Sequence, residues 1–449
     1  MKFILALWIG KLVSFFVNII APTRGSNISG AVAVKIDKNI IKKFKIDPNK
    51  TLFITGTNGK SSTNNLINHI ADVNDIKVVT NLEGANLLTG VATTLIKASS
   101  LKGKFNSYDF FVFETDERYL RHIYEQLPAG NILITNLQKD QVQRNGDPDF
   151  IWRKLAKFIN QDTRLFLNNE DPGGSSLLYK SNKVYYYSVD KHEQSFTKND
   201  IFPTRSCPIC HHEISYEYYN VDSVGPFECT YCRHKSQSVD KLKYRVTDIN
   251  FSEGTFVFQG KVFKMPYNMP HMLYNYAAAL LASDVFFGLD IEDCKKAFEN
   301  FVNIDGRFEK INYHGKEIRY LRVKQENPDT LQTAINFIAN DDFPSAFMLS
   351  LSPLEDFKPY YHNAFYTYDC DFSKLKNSKV KRFIGFYKDA IYESVLRFRY
   401  AGIPEEKIEI CDCKMDQSLL DYIENLPEER IYLICKLYLW ERLKFDYLL

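Results

Sequence analysis

The sequence has no excess of charge of either sign, and it contains no internal repeat or low-complexity segment. Its 449 residues include 57 Lys and Arg against 55 Asp and Glu, so charge gives no general reason to expect nucleic acid or an anionic membrane as the main partner. Hydrophobic residues make up 45% of the chain and aromatic residues 14%, which is enough for more than one core. We therefore expect a globular protein of about two to four domains whose function resides in local sites.

Residues 51–190 predict a mostly parallel sheet with helices on its faces. Five apolar or β-branched runs recur there, with helix-compatible stretches between the earlier ones: TLFIT, IKVVT, YDFFVFE, GNILITN and RLFLN. Polar residues follow the first four runs, at 56–61, 83–86, 114–117 and 136–140. Because ligands bind beyond the carboxyl ends of parallel strands, these segments predict one site at that edge of the sheet.

The later part of the chain also alternates. The stretch GTFVFQGKVFKM predicts a hairpin that turns at Gly260, and YNYAAALLASDVFFG predicts a helix of small residues that can lie close to another element. A new alternation of apolar and helix-compatible stretches begins at about Gly306 and predicts a second α/β region.

The stretch TGTNGKSST, residues 55–63, has the composition of a phosphate-binding loop. In such loops backbone N–H groups surround phosphate oxygens, a Lys reaches the terminal phosphates and a hydroxyl holds Mg²⁺, all at the positive end of a helix. The predicted ATP and Mg²⁺ residues of the loop are Gly56, Thr57, Asn58, Gly59, Lys60, Ser61 and Ser62. The general pattern G-x-x-x-x-G-K-[ST] has Gly where this chain has Ile54, so a chance Gly turn before a helix is the alternative.

Acidic residues at the end of the third apolar run offer a candidate ligand for the Mg²⁺ ion of the phosphate loop. Glu114 stands at the end of a predicted strand, where a carboxylate can hold Mg²⁺. Asp116 and Glu117 follow it, and we predict that they are solvated acids at the start of a helix. Lys60 and Glu114 are therefore candidate catalytic residues.

Four of the nine cysteines lie in two knuckles, CPIC (Cys207 and Cys210) and CTYC (Cys229 and Cys232). Thiolates at this spacing can point two sulfurs at one tetrahedral ion, and two such knuckles complete a four-thiolate zinc shell. The pattern predicts a zinc ribbon that stabilises a small insertion and leaves no open position for catalysis. The alternatives are a pair of disulfides, which need an oxidising compartment, or four ordinary thiols.

Three histidines lie beside the knuckles, namely His211, His212 and His234. Each could replace a cysteine as a zinc ligand, but solvated loop histidines are the simpler interpretation. The other five cysteines are scattered and form no motif: Cys294, Cys370, Cys411, Cys413 and Cys435.

No segment offers the roughly 20 unbroken apolar residues that a membrane span needs. The nearest is MKFILALWIGKLVSFFVNIIAPTRG, residues 1–25, which has a basic start, two apolar runs and a small residue near a plausible cleavage point, as secretory signals do. Lys11 interrupts the run, and an exported chain would have neither ATP for the loop at Gly59 nor a reducing environment for zinc thiolates. We expect a cytoplasmic chain with a retained helix that packs on the protein or touches the membrane surface.

The loop TGTNGKSST resembles that of the Mur ligase family, which includes the folylpolyglutamate synthases. Other segments are similar to one branch of this family, the MurT subunits of lipid II isoglutaminyl synthase: NLEGANLLTGVAT (81–93), FETDERYL (113–120), TNLQKDQVQRNGD (135–147), the paired CxxC knuckles and GRFE (306–309). The resemblance implies an α/β fold with a lead-in segment, a central ATP-binding domain, an inserted zinc ribbon and a C-terminal α/β domain. Their implied bounds are 1–50, 51–305, 203–236 and 306–449.

The resemblance also implies an activity, the amidation of lipid II in peptidoglycan synthesis. ATP would phosphorylate the α-carboxylate of the D-glutamate in the peptide stem, and ammonia would displace the phosphate to leave D-isoglutamine. The ammonia would come from a GatD-like glutaminase subunit in a heterodimer, and the substrate would lie at the membrane surface. Asn275 would contact the nucleotide, as would Arg307 of GRFE on domain closure, unless Arg307 forms only a surface salt bridge. Zn²⁺ would be structural, and ATP and Mg²⁺ would take part in the reaction.

The chain departs from the family pattern in its later part. Asn363, in NAFYTYD, stands where the family has the Asp that completes the Cys-His pair of the glutaminase, so it is a candidate catalytic position with an altered residue. Asp356 and Asp369 are nearby acids that could substitute for it. Met272 stands where an adenine-facing Asn is expected, and VKQENPDT lacks the glycine of the family's KNPxG segment.

Two alternatives to the amidation therefore stay open. The first is a divergent Mur-type ligase that joins another amine to a carboxylate and needs no glutaminase. The second is a non-catalytic docking protein built on a zinc ribbon. A nucleic-acid partner is not expected, because YYNVDSVGPFE between the knuckles carries no basic patch with interleaved aromatics.

Overall fold

A computed structural model of the chain describes residues 2–20, 27–81, 85–138, 148–197, 205–221, 223–301, 308–323, 325, 327–351, 363–387, 390–413 and 415–448. These residues form two compact units, one within 2–301 and the other within 308–448. The four domain bounds given above stay predictions.

The first unit contains eleven strands among its described residues. They are β1 (Thr51–Thr55), β2 (Val78–Thr80), β3 (Phe110–Glu114), β4 (Asn131–Ile134), β5 (Arg164–Asn168), β6 (Lys183–Val189), β7 (Ile214–Tyr216), β8 (Phe227–Cys229), β9 (Tyr244–Asn250), β10 (Thr255–Phe258) and β11 (Lys261–Lys264). Its α-helices are α1 (Lys2–Ile20), α2 (Ile28–Ile36), α3 (Ile40–Lys43), α4 (Lys60–Val73), α5 (Leu88–Ala98), α6 (Leu120–Tyr124), α7 (Pro148–Leu155), α8 (Pro172–Ser175), α9 (Pro270–Ala282) and α10 (Lys295–Asn300).

Nine of these strands form one sheet, in the order β11-β10-β9-β6-β5-β4-β1-β3-β2. All pairs from β2 to β9 are parallel, and only β10 and β11 run antiparallel to their neighbours. The predicted mostly parallel sheet is confirmed. The predicted hairpin is also present, and it turns through Gln259 and Gly260, whose φ angles of 47° and 73° are typical of a two-residue turn between antiparallel strands.

Strand β1 is buried on both of its faces, which explains why its sequence is a continuous apolar run. Leu52 and Ile54 belong to one hydrophobic cluster, together with residues of α4 and α9. Phe53, between them, points to the other face and belongs to a second cluster with residues of α1 and α5. Helices therefore cover both sides of the sheet at β1.

The strand order changes direction at β1, which lies between β3 and β4. In the register of the sheet, Ile54 is opposite Glu114 of β3, and Thr55 is opposite Ile134 of β4. The segments that follow these three strands consequently leave the sheet side by side. This is the position at which open α/β sheets bind their ligands.

The second unit has a six-stranded sheet of its own, in the order β12-β13-β17-β14-β15-β16. Only β12 and β13 are antiparallel. The strands are β12 (Phe308–Tyr313), β13 (Lys316–Leu321), β14 (Ser345–Leu349), β15 (Val380–Phe386), β16 (Ile408–Cys411) and β17 (Arg430–Ile434). The α-helices are α11 (Pro328–Ala339), α12 (Ile391–Tyr400), α13 (Asp416–Glu424) and α14 (Leu437–Leu443).

The helix predicted at the apolar start of the sequence is present as α1. Its residues Ala6, Leu7 and Gly10 are buried, and Gly10 lies against Ile96 of α5 and Ala33 of α2. Among the residues that the structure describes, this is the one helix with the length and composition to cross a membrane, with a mean hydropathy of 1.7 over residues 2–19.

Candidate functional site

The stretch between β1 and α4 has the conformation of a phosphate-binding loop. Gly56 and Gly59 have φ angles of 127° and 81°, and residues with a side chain rarely adopt such angles. A Cβ atom at Gly56 would lie 2.4 Å from the Thr135 hydroxyl, and one at Gly59 would lie 2.4 Å from Asn275 Oδ1. Both glycines are therefore required by the backbone conformation and by the neighbours that pack on the loop.

The segment after β4 holds this loop from one side. The Thr57 and Asn58 N–H groups donate to Asn136 O and Asn136 Oδ1, at 2.8 and 2.9 Å. The Asn58 side chain donates to Gln138 Oε1 at 2.6 Å, and the Gln138 N–H donates to Thr57 Oγ1 at 3.0 Å. Thr57 and Asn58 thus fix the loop's shape, and the anion-attracting end is the start of α4, which begins at Lys60.

Lys60 lies folded over the loop, between backbone oxygens and a buried carboxylate. Its ammonium donates to Gly56 O, to Thr57 O at 3.1 Å and to Glu117 Oε2 at 3.1 Å. The Glu117 side chain is only 5% exposed and that of Lys60 11%. A nucleotide phosphate would compete with the same carbonyl oxygens for this ammonium.

The prediction that Asp116 and Glu117 are solvated acids is wrong. The Thr115 N–H continues the β3–β1 ladder by donating to Ile54 O, and Glu117, two residues later, accepts from the Lys60 ammonium at 3.1 Å. Asp116 accepts bonds from the Arg118 side chain. Burial alone would raise the pKa of Asp116, but the hydrogen bonds from Arg118 outweigh it and lower the pKa. The sequence signal for Glu117 is a group of three acids, one at the end of β3 and two directly after it, beside a phosphate loop.

Glu114 ends β3 next to the loop and is buried. Its N–H donates to Asn81 Oδ1 and its carbonyl oxygen accepts from Asn81 Nδ2, both at 2.8 Å, so its backbone is tied to the segment after β2. Ser61 lies in the first turn of α4. Carboxylate and hydroxyl oxygens are ligands that Mg²⁺ prefers, so the chemistry of both side chains suits the ion, and their role in holding it stays a prediction.

Asn275, on α9, lies behind the loop. Its side chain is 4% exposed, accepts from Thr63 Oγ1 at 3.3 Å and contacts Gly59, while its amide nitrogen is 3.3 Å from Met272 Sδ. In this arrangement Asn275 supports the turn into α4. Its contact with nucleotide stays a prediction.

The four cysteines of the two knuckles come together as predicted. Their Sγ atoms all lie within 4.8 Å of one another, with 3.6 Å between Cys207 and Cys232 and 3.4 Å between Cys210 and Cys229. Zn–S bonds of about 2.3 Å in a tetrahedron place sulfurs about 3.8 Å apart, so the cluster fits one zinc ion. Strands β7 and β8 pair antiparallel beside it.

The two knuckles repeat one local design. The Cys207 N–H bonds to His212 O and the Cys229 N–H to His234 O, at 2.7 and 2.8 Å. The residue after the second cysteine of each knuckle, His211 or Arg233, has a positive φ of 63° or 62°. Each tight turn brings its two sulfurs to the same side, and the hairpin β7–β8 brings the knuckles together.

The neighbouring histidines have other surroundings. His211 Nδ1 lies 3.3 Å from Asp149 Oδ2, and the His212 ring stacks on the Tyr231 ring. The prediction of a solvated loop is wrong for His234, which is 4% exposed and lies 3.4 Å from Ser175 Oγ and Pro172 O. Its burial lowers its pKa. Within the described part of the chain, the cluster that could hold a metal consists of cysteines alone.

An ion pair that the sequence did not reveal ties the ribbon to the sheet. Arg205, two residues before the first knuckle, donates to Asp171 Oδ1 at 2.9 Å and to Leu137 O. Asp171 also accepts the N–H groups of Leu137 and Gly174, at 2.9 and 2.7 Å. Leu137 precedes Gln138, which contacts the phosphate loop. The ribbon and the loop are therefore linked through one segment after β4.

Three of the other predicted positions lie wholly outside the described residues, namely Glu83, Arg307 and Asp356. Asn363 begins the 3₁₀ helix Asn363–Asp369 of the second unit. The roles predicted for these residues stay predictions.

Comparison with known proteins agrees with this geometry. A family model described as Mur ligase middle domain matches residues 54–283, slightly more than half of the chain, and one described as MurT ligase C-terminal matches residues 325–438. A lipid II isoglutaminyl synthase (glutamine-hydrolyzing) subunit MurT from Staphylococcus aureus (strain COL) is 27% identical over 363 residues, 80% of each chain. That of Streptococcus pneumoniae (strain ATCC BAA-255 / R6) is 27% identical over 419 residues, 92% of this chain and 90% of the relative.

Solved structures show the same fold. A pseudomurein peptide ligase type C from Methanothermus fervidus superimposes with a TM-score of 0.63 and 18% identity, over 91% of this chain and 80% of the ligase. The MurF ligase from Thermotoga maritima, in complex with ADP, gives a TM-score of 0.55 and 13% identity, over 91% and 80%. The expected Mur ligase-like fold is confirmed. The chain therefore belongs to the Mur ligase family, and its C-terminal region is of the MurT type.

Proposed function

We propose that this chain is the synthetase subunit that uses ATP to amidate the α-carboxylate of D-glutamate in lipid II, giving D-isoglutamine for peptidoglycan. The observation that carries the proposal is the match to MurT relatives over 80% to 92% of the chain, at both the central and C-terminal regions. The phosphate loop with Lys60 and Glu117 supplies the chemistry that such a reaction needs.

The proposed reaction has two steps. A carboxylate oxygen attacks the γ-phosphorus of ATP, so that ADP leaves and an acyl phosphate forms. Ammonia then attacks the acyl carbon, phosphate leaves, and the nitrogen loses one proton. A carboxylate needs this activation because its own oxygens are poor leaving groups.

The residues at the loop have distinct roles in this proposal. Lys60 offsets the charge on the transferred phosphoryl group, and Glu117 holds the ammonium at the loop before the phosphates arrive. Ser61 and Glu114 would hold Mg²⁺, which neutralises phosphate charge when bound. Thr57 and Asn58 keep the turn in shape, and Asn275 supports Gly59 from behind.

The remaining parts of the proposal concern partners and location. The four-cysteine cluster would hold a structural Zn²⁺. A GatD-like glutaminase would form a heterodimer with the chain and supply ammonia. We place the chain in the cytoplasm, where ATP is present and thiolates stay reduced.

The test is to purify the chain and measure ADP release and amidated product with lipid II. Ammonium chloride and glutamine plus a co-purified glutaminase are compared as nitrogen sources. Amidated product with either source is expected. No product with both, while ATP still binds, would contradict the proposal and favour a divergent Mur-type ligase that uses another amine.

Asn363 gives the proposal a second test. If it replaces an acid that assists the glutaminase, Asn363→Asp should raise the rate with glutamine and leave the rate with ammonium chloride unchanged. An unchanged glutamine rate would show that another acid serves or that the donor is different. Asn340→Asp, at the end of α11, is the matched control.

A further inference from the structure

Helix α1 consists mostly of apolar residues, but only one side of it is covered. On the packed side Ala6, Leu7, Gly10 and Ser14 are buried. The other side presents six large residues that are each 52% to 64% exposed, and we call these the apolar face: Leu5, Trp8, Leu12, Phe15, Phe16 and Ile19. They repeat every three or four positions, so they form one continuous stripe. Such a stripe marks an interaction surface.

The packing of α1 fixes which side faces outward. Lys11, which interrupts the apolar run in the sequence, donates to Ile96 O at 2.6 Å and to Ser99 O at the end of α5. The rings of Phe3 and Phe44 pack edge to face, with 5.2 Å between their centres. The charge of Lys11 is therefore held at the end of α5, and the six residues of the apolar face carry no charge.

The loop after α5 extends this surface. The Trp8 indole N–H donates to Leu101 O at 2.9 Å, and Gly103 lies against the Phe3 ring. Leu101 itself is 66% exposed. Exposed Lys102 and Lys104 flank these contacts, so the apolar face has basic residues beside it.

The charge of this region differs from that of the chain. Residues 1–50 contain eight Lys and one Arg against two Asp, whereas the whole chain has a formal net charge of only +2. Basic residues near an apolar helical face attract anionic lipid headgroups, and they would not favour a second copy of the same surface.

We infer that the apolar face of α1 docks on a bilayer surface with anionic headgroups, with the helix lying parallel to the membrane plane. The inference rests on the proposed function, in which the substrate is a membrane lipid, and it names the surface that brings the site to that substrate. At about 1.5 Å per residue α1 is about 28 Å long. Its packed side and the contacts of Lys11 hold it on the protein, so it lies on the membrane instead of crossing it.

The test measures binding of the full-length chain to vesicles that contain no lipid II, so the result is independent of catalysis. Vesicles of phosphatidylcholine alone are compared with an equal mixture of phosphatidylcholine and phosphatidylglycerol. The variant Leu5→Gln, Leu12→Gln and Phe15→Gln removes half of the apolar face. Its matched control, Phe150→Gln, Val262→Gln and Tyr392→Gln, changes three exposed apolar residues elsewhere.

We expect the wild type to sediment with the anionic vesicles and the apolar-face variant to bind at least about tenfold more weakly. The control should bind as the wild type does, and added salt should weaken binding. Equal binding by both variants, or no binding by the wild type, would overturn the inference. So would resistance to extraction by alkaline carbonate, which indicates a span, or a lipid-free dimer that the apolar-face variant abolishes.

Discussion

The phosphate loop and the zinc ribbon are both short motifs in the first unit, but they are built in different ways. The ribbon's four sulfurs come from two knuckles, whose turns are closed by backbone bonds within six residues. The loop relies on distant neighbours, because Asn136, Gln138 and Asn275 hold its shape. Cysteine spacing and one short hairpin therefore define the metal site, whereas the phosphate site needs the surrounding sheet.

The two regions are nevertheless connected. Arg205 at the edge of the ribbon and Asp171 after β5 both bond to Leu137, which is adjacent to the loop's supporting residue Gln138. A change in the ribbon can therefore reach the nucleotide site through a few hydrogen bonds. Substitutions in each region test how independent the phosphate loop and the zinc ribbon are.

Lys60→Ala should lower ATP turnover on the order of 10³-fold, because the ammonium that stabilises the transferred phosphoryl group is lost. The measurement is steady-state ADP release, with zinc content determined on the same samples. Zinc should be unchanged, since Lys60 donates to its own loop and to Glu117 and is not one of the four thiolates of the cluster. Exposed Lys157→Ala is the control. Retained turnover in Lys60→Ala would remove the phosphate-loop assignment.

Cys207→Ser should reduce zinc to well below one ion per chain, because the site loses one of four thiolates. Residues 205–237 should exchange amide hydrogens faster, and turnover should fall partially through the Arg205 link. Inductively coupled plasma mass spectrometry and hydrogen exchange give the two readouts. Cys294→Ser, a buried thiol outside the cluster, should keep its zinc. One zinc per chain in Cys207→Ser would refute the four-cysteine site.

Glu117→Gln should lower kcat by about tenfold, because a hydrogen bond between charged groups that positions Lys60 is replaced by a weaker one. The matched control is Glu125→Gln, which removes an exposed ion pair with Arg121 on the same segment. Equal rates for the two variants would show that Glu117 has no part in positioning Lys60.

Much of this architecture could be predicted from the sequence. The strands from TLFIT to RLFLN, the hairpin at Gly260 and the knuckles are local patterns with strong periodicity or spacing. The prediction for Glu117 is wrong because an acid after a strand is solvated unless folding brings it to a partner, and its partner Lys60 is 57 residues away. Arg205 carries no sequence signal, since its partner is 34 residues away and is brought close only by folding.

Arg205→Met should break the hydrogen-bonded link between the zinc ribbon and the phosphate loop. The substitution removes an ion pair whose carboxylate is fully buried, so we expect the free energy of unfolding to fall by about 2 kcal/mol and KM for ATP to rise about threefold. Zinc should stay at one per chain. Arg233→Met, which removes an exposed ion pair on the ribbon, is the control. An unchanged KM would show that the loop is held independently of the ribbon.

Substitution of Glu170, the neighbour of Asp171, should have the smallest effect on turnover. It should instead change how stability depends on pH. It is fully buried, accepts bonds from Ser188 and Asn169, and burial raises its pKa from 4.5 to about 7. The folded state therefore binds more protons than the unfolded state between these values. Its stabilising contribution is complete below pH 4.5 and is lost as pH rises to about 7, by about 3 kcal/mol at most.

His192 acts in the opposite direction, because burial lowers its pKa from 6.5 to about 4 and stability falls as pH decreases through that range. In the wild type, the pH dependence of stability due to Glu170 and the one due to His192 therefore oppose each other. Glu170→Gln keeps the shape of the side chain and its bonds from Ser188 and Asn169 but removes its titration, so the free energy of unfolding should rise from pH 5 to pH 6.5 more steeply than in the wild type. Urea unfolding at these pH values measures the free energy of unfolding, and Glu193→Gln, at an exposed position, is the control. Parallel pH profiles for Glu170→Gln and the wild type would show that Glu170 is ionised in the folded chain throughout this pH range.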